Sequence, residues 1–280
     1  MRLLLLLFSA LSVGAQDPVP SALPASVPAT LEFQGRPIQV PFSCTEESVQ
    51  AVGATCTENE PCDIFLELSG IESIADRLIV SGNIHSRSNT FSSILLTSED
   101  GGKTWIESHA RIPHGVLEEI QFLDFTYGWV AGQILTQYPR DPFFLLTQDG
   151  GKTWKKHDLF DETKSGFIES YLFESRTNGT LVLDRSRGGD EDGKFELYET
   201  RTGGNSWMLR EVSSQQLKIK RKTPSTGIRL RADEKTKAYW IEQHKTEKWI
   251  PLAGFQIQLP ICKIRMQELT PPQEPEEVLK

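Results

Sequence analysis

The fold is decided by the stretch Ser98–Trp105, which reads Ser-Glu-Asp-Gly-Gly-Lys-Thr-Trp. A second copy, Thr147–Trp154, reads Thr-Gln-Asp-Gly-Gly-Lys-Thr-Trp, and a looser third copy, Thr200–Trp207, has Thr202 in place of the aspartate. We call these stretches turn motifs 1, 2 and 3. Their tryptophans lie 49 and 53 residues apart, and each motif follows an apolar run. A period of this length predicts a fold built from repeated units.

Each turn motif has the composition of a tight turn between two strands. Consecutive glycines supply the positive φ that such a turn requires. The aspartate carboxylate can accept hydrogen bonds from backbone N–H groups two or three residues further on. The tryptophan can begin the returning strand and bury on the order of 200 Å². We therefore expect structural roles, rather than ligand contacts, for Ser98, Asp100, Gly101, Gly102, Thr104, Trp105, Thr147, Asp149, Gly150, Gly151, Thr153, Trp154, Gly203, Gly204 and Trp207.

Short apolar runs separated by turn residues surround the motifs, which is the pattern of an all-β protein. No segment has a clear helical stripe. Each unit holds about four strands in roughly 45–50 residues, which is the size of one propeller blade. The predicted strands are Ile38–Val40, Asp63–Leu68, Ile71–Ala75, Leu78–Gly82, Phe91–Leu96, Ile120–Leu123, Gly128–Gly132, Phe143–Leu146, Ile168–Phe173, Thr180–Asp184, Phe195–Tyr198, Ile228–Leu230, Ala238–Ile241 and Phe255–Leu259.

The fourth unit lacks the glycines of a turn motif, although Trp249 stands near the position of a motif tryptophan. We predict an all-β β-propeller of about four or five four-stranded blades. It is either incomplete or closed by a clasp between its termini.

The chain begins with the features of a secretory signal. Arg2 precedes an apolar run, and Val13-Gly14-Ala15 is a small-residue cleavage site. The run is too short to span a membrane. We predict a signal peptide over 1–15, a Pro/Ala-rich linker over 16–30, the propeller domain over 31–268 and a disordered tail over 269–280. The predicted location is secreted or periplasmic, with cleavage after Ala15.

Four cysteines remain in this exported chain, where an oxidising compartment favours disulfides. Three pairings are possible. We favour Cys56–Cys62 as a local loop and Cys44–Cys262 as the clasp between the termini. A zinc site is the alternative, but the cysteine spacing is irregular and no histidine lies near them in the sequence.

The net charge of −8 argues against nucleic acid or an anionic membrane as the main partner. The one basic run, 218–222, fits a solvated strand edge, with contact to an acidic partner as the alternative. We predict no cofactor, no metal, no membrane span and a monomer. Its partner would be a protein or a cell-surface polymer.

A family resemblance rests on turn motifs 1 and 2, which match the Asp-box or BNR repeat. It also rests on the couplet of Asp124 and Gly128–Gly132 that precedes motif 2. Together they resemble the photosystem II stability/assembly factor family of exported BNR-type β-propellers, over roughly 71–207. The resemblance implies a propeller fold and a non-catalytic protein-binding or assembly scaffold. The repeat also occurs in sialidases, so a sialidase-like glycan-active enzyme or lectin is the alternative.

Sialidases use three arginines around a central channel and carry an Arg-Ile-Pro motif before the first Asp-box. Here Arg111-Ile112-Pro113 follows the first motif, so we interpret Arg111 as a loop residue between blades. Convergence of Arg111 with two further arginines on one acidic residue would favour the enzyme. Adjacent carboxylates point to opposite faces of a strand, so we do not expect catalytic pairs at Glu118-Glu119 or Asp161-Glu162.

Three weaker signals have simpler interpretations. His109 and His114 fit solvated loop histidines better than metal ligands. The acidic loop 188–193 could bind calcium, but it lacks the alternation of an EF-hand and fits a polar hairpin loop. Asn178-Gly179-Thr180 fits a glycosylation sequon, but Asn-Gly also favours a hairpin turn, and we favour the turn.

Overall fold

A computed structural model of the chain describes residues 29–186, 195–219 and 227–264. The predicted signal peptide, most of the linker, the tail, the loop 188–193 and the end of the basic run lie outside the described residues. The strands are β1 (Leu31–Glu32), β2 (Ile38–Val40), β3 (Cys62–Asp63), β4 (Phe65–Ile74), β5 (Arg77–His85), β6 (Thr90–Ser98), β7 (Thr104–Glu107), β8 (Gly115–Phe122), β9 (Gly128–Leu135), β10 (Pro139–Thr147), β11 (Lys155–Asp158), β12 (Phe167–Phe173), β13 (Gly179–Asp184), β14 (Phe195–Thr200), β15 (Met208–Ser213), β16 (Ile228–Asp233), β17 (Ala238–Lys245), β18 (Lys248–Ile257) and β19 (Ile261–Cys262).

Four sheets hold nearly all of these strands. Sheet 1 has the order β1-β7-β6-β5-β4, sheet 2 has β11-β10-β9-β8, and sheet 3 has β12-β13-β14-β15. Sheet 4 has the order β16-β17-β18-β2, and β19 pairs with β3 in a short ribbon. Within each unit, consecutive strands pair in antiparallel fashion, as in a propeller blade. The predicted fold class, an all-β propeller of four-stranded blades, is confirmed, and four blades lie in the described residues.

The blades pack face to face through three hydrophobic clusters. Sheets 4 and 1 meet around Trp105 and Phe255, sheets 1 and 2 around Ile79 and Phe143, and sheets 2 and 3 around Trp129. The packing order in the described chain is therefore 4-1-2-3. A single sheet of this size cannot bury both of its faces, so each blade depends on its neighbour.

The fourth blade is completed from the other end of the chain. Strand β2 pairs with β18 in parallel, with Ile38 opposite Phe255. Trp249 lies at the start of β18, the third strand of its sheet, whereas a motif tryptophan follows the third strand. The alignment of Trp249 with the motif tryptophans is therefore wrong. Thr246 and Glu247, both with positive φ, form the β17–β18 turn without glycine.

The termini are held together by both disulfides, Cys44–Cys262 and Cys56–Cys62. In the β3–β19 ribbon, Cys262 lies opposite Cys62, so the two bridges lie side by side. This ribbon and β2 together bring the N-terminal and C-terminal segments of the described chain into one cluster.

Two local features differ from the sequence prediction. Helix α1 (Glu46–Ala51) begins at Thr45, whose hydroxyl accepts a hydrogen bond from the Ser48 N–H at 3.2 Å in a capping box. Six residues are too few to give a recognisable apolar stripe. The two strands predicted over 63–75 are mostly one strand, β4, with a register shift between Leu68 and Gly70.

Candidate functional site

Turn motif 1 uses the polar side-chain groups of Ser98, Asp100, Thr104 and Trp105 to close its own turn. One carboxylate oxygen of Asp100 accepts hydrogen bonds from the Ser98 hydroxyl at 2.8 Å and the Thr104 N–H at 2.9 Å. The other accepts from the Thr104 hydroxyl at 2.7 Å. The Trp105 indole N–H donates to the Gly102 carbonyl at 2.9 Å. The motif is thus a closed turn that leaves little hydrogen-bonding capacity for a ligand.

Turn motif 2 reproduces this geometry. Asp149 accepts from the hydroxyls of Thr147 at 2.9 Å and Thr153 at 2.6 Å, and Trp154 donates to Gly151 at 3.0 Å. The paired glycines have φ of 72° and 96° in motif 1 and 77° and 89° in motif 2. The same sequence at the same spacing gives the same turn, because the glycines permit a left-handed backbone.

Turn motif 3 keeps the shape with a threonine hydroxyl in place of the carboxylate. The Thr202 hydroxyl accepts from the Ser206 N–H at 2.9 Å, and the Trp207 indole donates to the Gly204 carbonyl at 3.1 Å. Gly203 and Gly204 have φ of 70° and 96°, close to the values in motif 1. A threonine can replace the aspartate because the glycine pair sets the backbone path.

A stability measurement can test the carboxylate of motif 1. Burial raises the pKa of Asp100, but hydrogen bonds from Thr104, Ser98 and Lys103 outweigh it and lower the pKa from 3.8 to about 2. A lowered folded-state pKa contributes stability above about pH 4, and this contribution is lost as the pH falls toward 2. We expect Asp100→Asn to be less stable than wild type at pH 5, with the gap closing by about pH 2. Urea unfolding across that range measures it.

Asp161→Asn, in an exposed loop, is the matched control and should show no such gap. A gap between Asp100→Asn and wild type that stays constant from pH 5 to pH 2 would contradict the role given to the carboxylate.

Arg111 lies in the segment between β7 and β8. Its guanidinium donates to the Glu107 carboxylate at 2.6 and 2.9 Å and to the Pro41 carbonyl at 2.8 Å. His109 and His114 contact backbone carbonyls, those of Ala110 and Ala51. No group of three or more His, Cys, Asp or Glu side chains in the described residues could hold a metal ion.

Strands β4, β8 and β12 each come first in chain order within their antiparallel repeat unit. They line a cavity of about 430 Å³ that we call the first-strand cavity. It is polar at its sides, where Glu72, Glu118, Glu119 and Glu169 line it. The Tyr171 hydroxyl donates to the Glu119 carbonyl at 3.0 Å and links β12 to β8.

A second cavity of about 390 Å³ shares Ser69, Glu118 and Phe167 with the first. We call it the hairpin cavity, because the β5–β6 turn at 86–89 and the start of the β9–β10 turn line it. Exposed residues at its rim, including Arg87 and Thr136, open it to solvent. Glu67 lies at the same rim with half of its side chain exposed.

Glu118 is positioned by a close approach of β4 and β8. A Cβ on Gly70 would lie 2.5 Å from the Glu118 carbonyl, so only glycine lets the two first strands pack this tightly. The Ser69 hydroxyl donates to the Leu117 carbonyl at 2.5 Å, and the Ser81 hydroxyl donates to the Glu118 carbonyl. These two serines clamp β8 at its irregularity.

Strand β8 is not the regular strand that the prediction for Glu118-Glu119 assumed. The register of β8 shifts between Leu117 and Ile120, and this irregularity lets both carboxylate residues line the first-strand cavity. Asp161 and Glu162 lie in the exposed loop after β11, away from both cavities. Sequence reasoning also missed Glu67, Asn83 and Gln133, which look like ordinary strand residues.

The electrostatics of the hairpin cavity centre on Glu118. Burial raises its pKa, a hydrogen bond from Gln133 lowers it, and repulsion from Glu67 raises it again, so that the net pKa lies above the ordinary value. At the rim, His85 lies 3.6 Å from Glu67, and Arg87 lies 3.2 Å from Asp63.

Comparisons with known proteins give structural neighbours only. No protein-family model matches the chain, and no curated protein matches it either. Solved structures with a likeness include YCF48 bound to a D1 peptide, at 17% identity and a TM-score of 0.37, covering 76% of this chain and 58% of that one. YCF48 from Cyanidioschyzon merolae has 18% identity and a TM-score of 0.34, covering 66% and 56%.

A third likeness is to the α-L-arabinofuranosidase Arb93A from Fusarium graminearum with an iminosugar inhibitor. It has 12% identity and a TM-score of 0.36, covering 72% of this chain and 68% of that one. By comparison, this chain spans less than two thirds of the length of either YCF48 chain. Likenesses of this strength transfer no function, and the fold rests on the four sheets themselves.

Proposed function

We propose that this chain is an exported, non-catalytic β-propeller module that binds a protein partner through the hairpin cavity. The observation that carries the proposal is the composition of that cavity. It opens to solvent and presents the carboxylate of Glu118 and the amide of Gln133. By contrast, the aspartates of turn motifs 1 and 2 accept their hydrogen bonds from within their own turns. We therefore assign partner binding to the cavity. The turn motifs are assigned the structural role of stabilising the hairpins.

Export is supported by the two disulfides, which are typical of oxidising compartments. Among the described residues, no helix has the length and apolarity needed to cross a bilayer. The signal peptide over 1–15, with cleavage after Ala15, belongs to the same proposal.

The position of Arg111 weighs against a sialidase mechanism. Its guanidinium is engaged by Glu107 and Pro41 rather than by a carboxylate of either first-strand or hairpin cavity. A sialidase needs three arginines that together bind the carboxylate of its substrate. Arg111 is not available for such a triad.

A second candidate function is glycoside hydrolysis, because Glu118 combines a raised pKa with a second carboxylate, Glu67, close enough to repel it. Glycosidases use such a pair, with the raised carboxyl as general acid. In that case Glu118→Gln should abolish turnover.

Affinity capture tests the proposal. The mature, disulfide-bonded chain serves as bait in the exported fraction of its source organism, with the reduced and unfolded chain as the matched control. We expect one protein to be enriched by the folded bait alone. Turnover of sialyllactose or arabinan by the same preparation, with no protein enriched, would refute the proposal and establish the second candidate.

A further inference from the structure

Two buried carboxylates elsewhere in the sheets show how this protein compensates such charges. Glu196 lies 2.8 Å from the Lys164 ammonium and 3.2 Å from the Arg185 guanidinium. Glu242 lies 2.8 Å from Arg229 and 2.9 Å from Arg231. Each therefore has two cations, as expected because an uncompensated charge is costly to remove from water.

Glu118 departs from this rule. It is partly buried, and in the described part of the chain its carboxylate accepts a hydrogen bond from the Gln133 amide N–H at 3.3 Å rather than from a lysine or arginine. A second carboxylate, Glu67, repels it and raises its pKa. Within the described chain, the Glu118 carboxylate therefore has no lysine or arginine to compensate its negative charge.

Gln133 provides an independent sign of a missing donor. The residue is 5% exposed and lines the hairpin cavity together with Glu118. Its amide oxygen has no hydrogen-bond partner within the described residues. Buried acceptors in proteins are nearly always paired, so an unpaired one beside an uncompensated carboxylate indicates a ligand that brings N–H donors.

We propose that the hairpin cavity binds a cationic side chain of a partner protein, a lysine ammonium or an arginine guanidinium. This inference rests on the proposed protein-binding function. The cation would meet the Glu118 carboxylate, the Gln133 amide oxygen and, at the rim, Glu67. A lysine ammonium has three donors for these acceptors, and an arginine has five.

The charges around the cavity favour a cation over a neutral ligand. Glu67 and Glu118 line it. Two basic residues also line it: Arg87 is 82% exposed and already lies beside Asp63, and His85 lies 3.6 Å from Glu67 at the rim. A calcium ion fits less well, because it requires six to eight oxygen ligands and no cluster of three acidic or histidine side chains is present in the described residues.

The test uses the folded mature chain and NMR. The probe is the hexapeptide Gly-Ser-Lys-Gly-Ser-Gly with an acetylated N-terminus and an amidated C-terminus, with an arginine version, and the matched control peptide carries ε-acetyl-lysine. The side-chain amide signal of Gln133, assigned from its loss in Gln133→Met, reports binding directly. We expect this signal to shift with the cationic peptides and to stay fixed with the acetylated one.

Two variants make the test specific. Glu118→Gln keeps the shape of the side chain and should weaken peptide binding about tenfold or more, because hydrogen bonds to charged groups are the strong ones. Its melting temperature should not fall, since the change removes an uncompensated charge. Glu174→Gln removes the same charge from an exposed turn and should bind within about twofold of wild type.

Equal affinity of wild type and Glu118→Gln would overturn the inference, as would equal binding of the acetylated peptide. A shift of the Gln133 amide signal on addition of calcium chloride or sialyllactose, with no shift on addition of the cationic peptides, would also overturn the inference. A captured protein that binds Glu118→Gln as tightly as wild type would leave the proposed function standing and refute the cation site. Peptide binding with no protein captured would uphold the site's chemistry and refute the proposed function.

Discussion

Removal of the Cys44–Cys262 bridge is expected to lower the free energy of unfolding by about 5 kcal/mol. The bridge joins residues 218 positions apart, so nearly the whole described chain lies within its loop. In the chain-entropy view, a longer loop restricts the unfolded chain more strongly. The bridge also ties the segment after β2 to β19, and β2 is the fourth strand of sheet 4.

The Cys56–Cys62 bridge is the matched control, because it lies in the same terminal cluster but closes a loop of only 6 residues. Its loss should cost about 2 kcal/mol on the same view. Urea unfolding of the Cys44→Ala/Cys262→Ala and Cys56→Ala/Cys62→Ala proteins compares the two. Equal losses would contradict the clasp between the termini.

Trp105→Ala should cost about 3–5 kcal/mol, the usual range for truncating a buried aromatic residue. Its side chain is 0% exposed, and its ring meets Phe255 edge-on with centroids 5.0 Å apart. Phe255 belongs to sheet 4, and Trp105 lies opposite Leu31 of β1. The tryptophan therefore closes its own turn and joins two blades, so its loss weakens both.

Trp249 gives the matched control for this substitution. It is 38% exposed, and the Arg229 guanidinium lies 4.0 Å from its ring centroid. Trp249→Ala should cost about 1 kcal/mol or less, the value of an exposed cation–π contact. Trp154→Ala, at 9% exposure, should behave like Trp105→Ala. Thermal unfolding that ranks Trp249→Ala equal to Trp105→Ala would contradict the role given to the motif tryptophans.

Local chemistry explains which parts of the fold could be predicted from the sequence. The glycine pair at Gly101 and Gly102 fixes a turn within a few residues, and the three copies fix the unit length. The all-β class and most strand positions follow from that pattern alone. The register and the closure of the fold depend on contacts between distant residues, which a local pattern does not contain.

Strand β2 is the clearest example of the second kind. Its three residues, Ile38–Val40, were predicted as a strand, but nothing in them specifies parallel pairing with β18 more than 200 residues later. For that reason Trp249 was assigned to the wrong place in its blade. The contact itself is an ordinary apolar one, with Ile38 and Val40 buried in the cluster between sheets 4 and 1.

The candidate site was hidden by a similar long-range effect. Alternation along a regular strand places Glu118 and Glu119 on opposite faces. The irregularity of β8 breaks this alternation, and it lies where Gly70 of another blade packs against the Glu118 carbonyl. A contact between blades of this kind cannot be read from the local sequence around Glu118.

The division of roles between turn motifs and cavity is tested most directly by comparing Asp149→Asn with Glu118→Gln. Melting temperature and affinity for the captured partner are measured for both proteins. We expect Asp149→Asn to melt lower and, where folded, to bind the partner normally. Glu118→Gln should melt no lower than wild type and bind about tenfold more weakly. Weakened partner binding in folded Asp149→Asn, with normal binding in Glu118→Gln, would contradict that division.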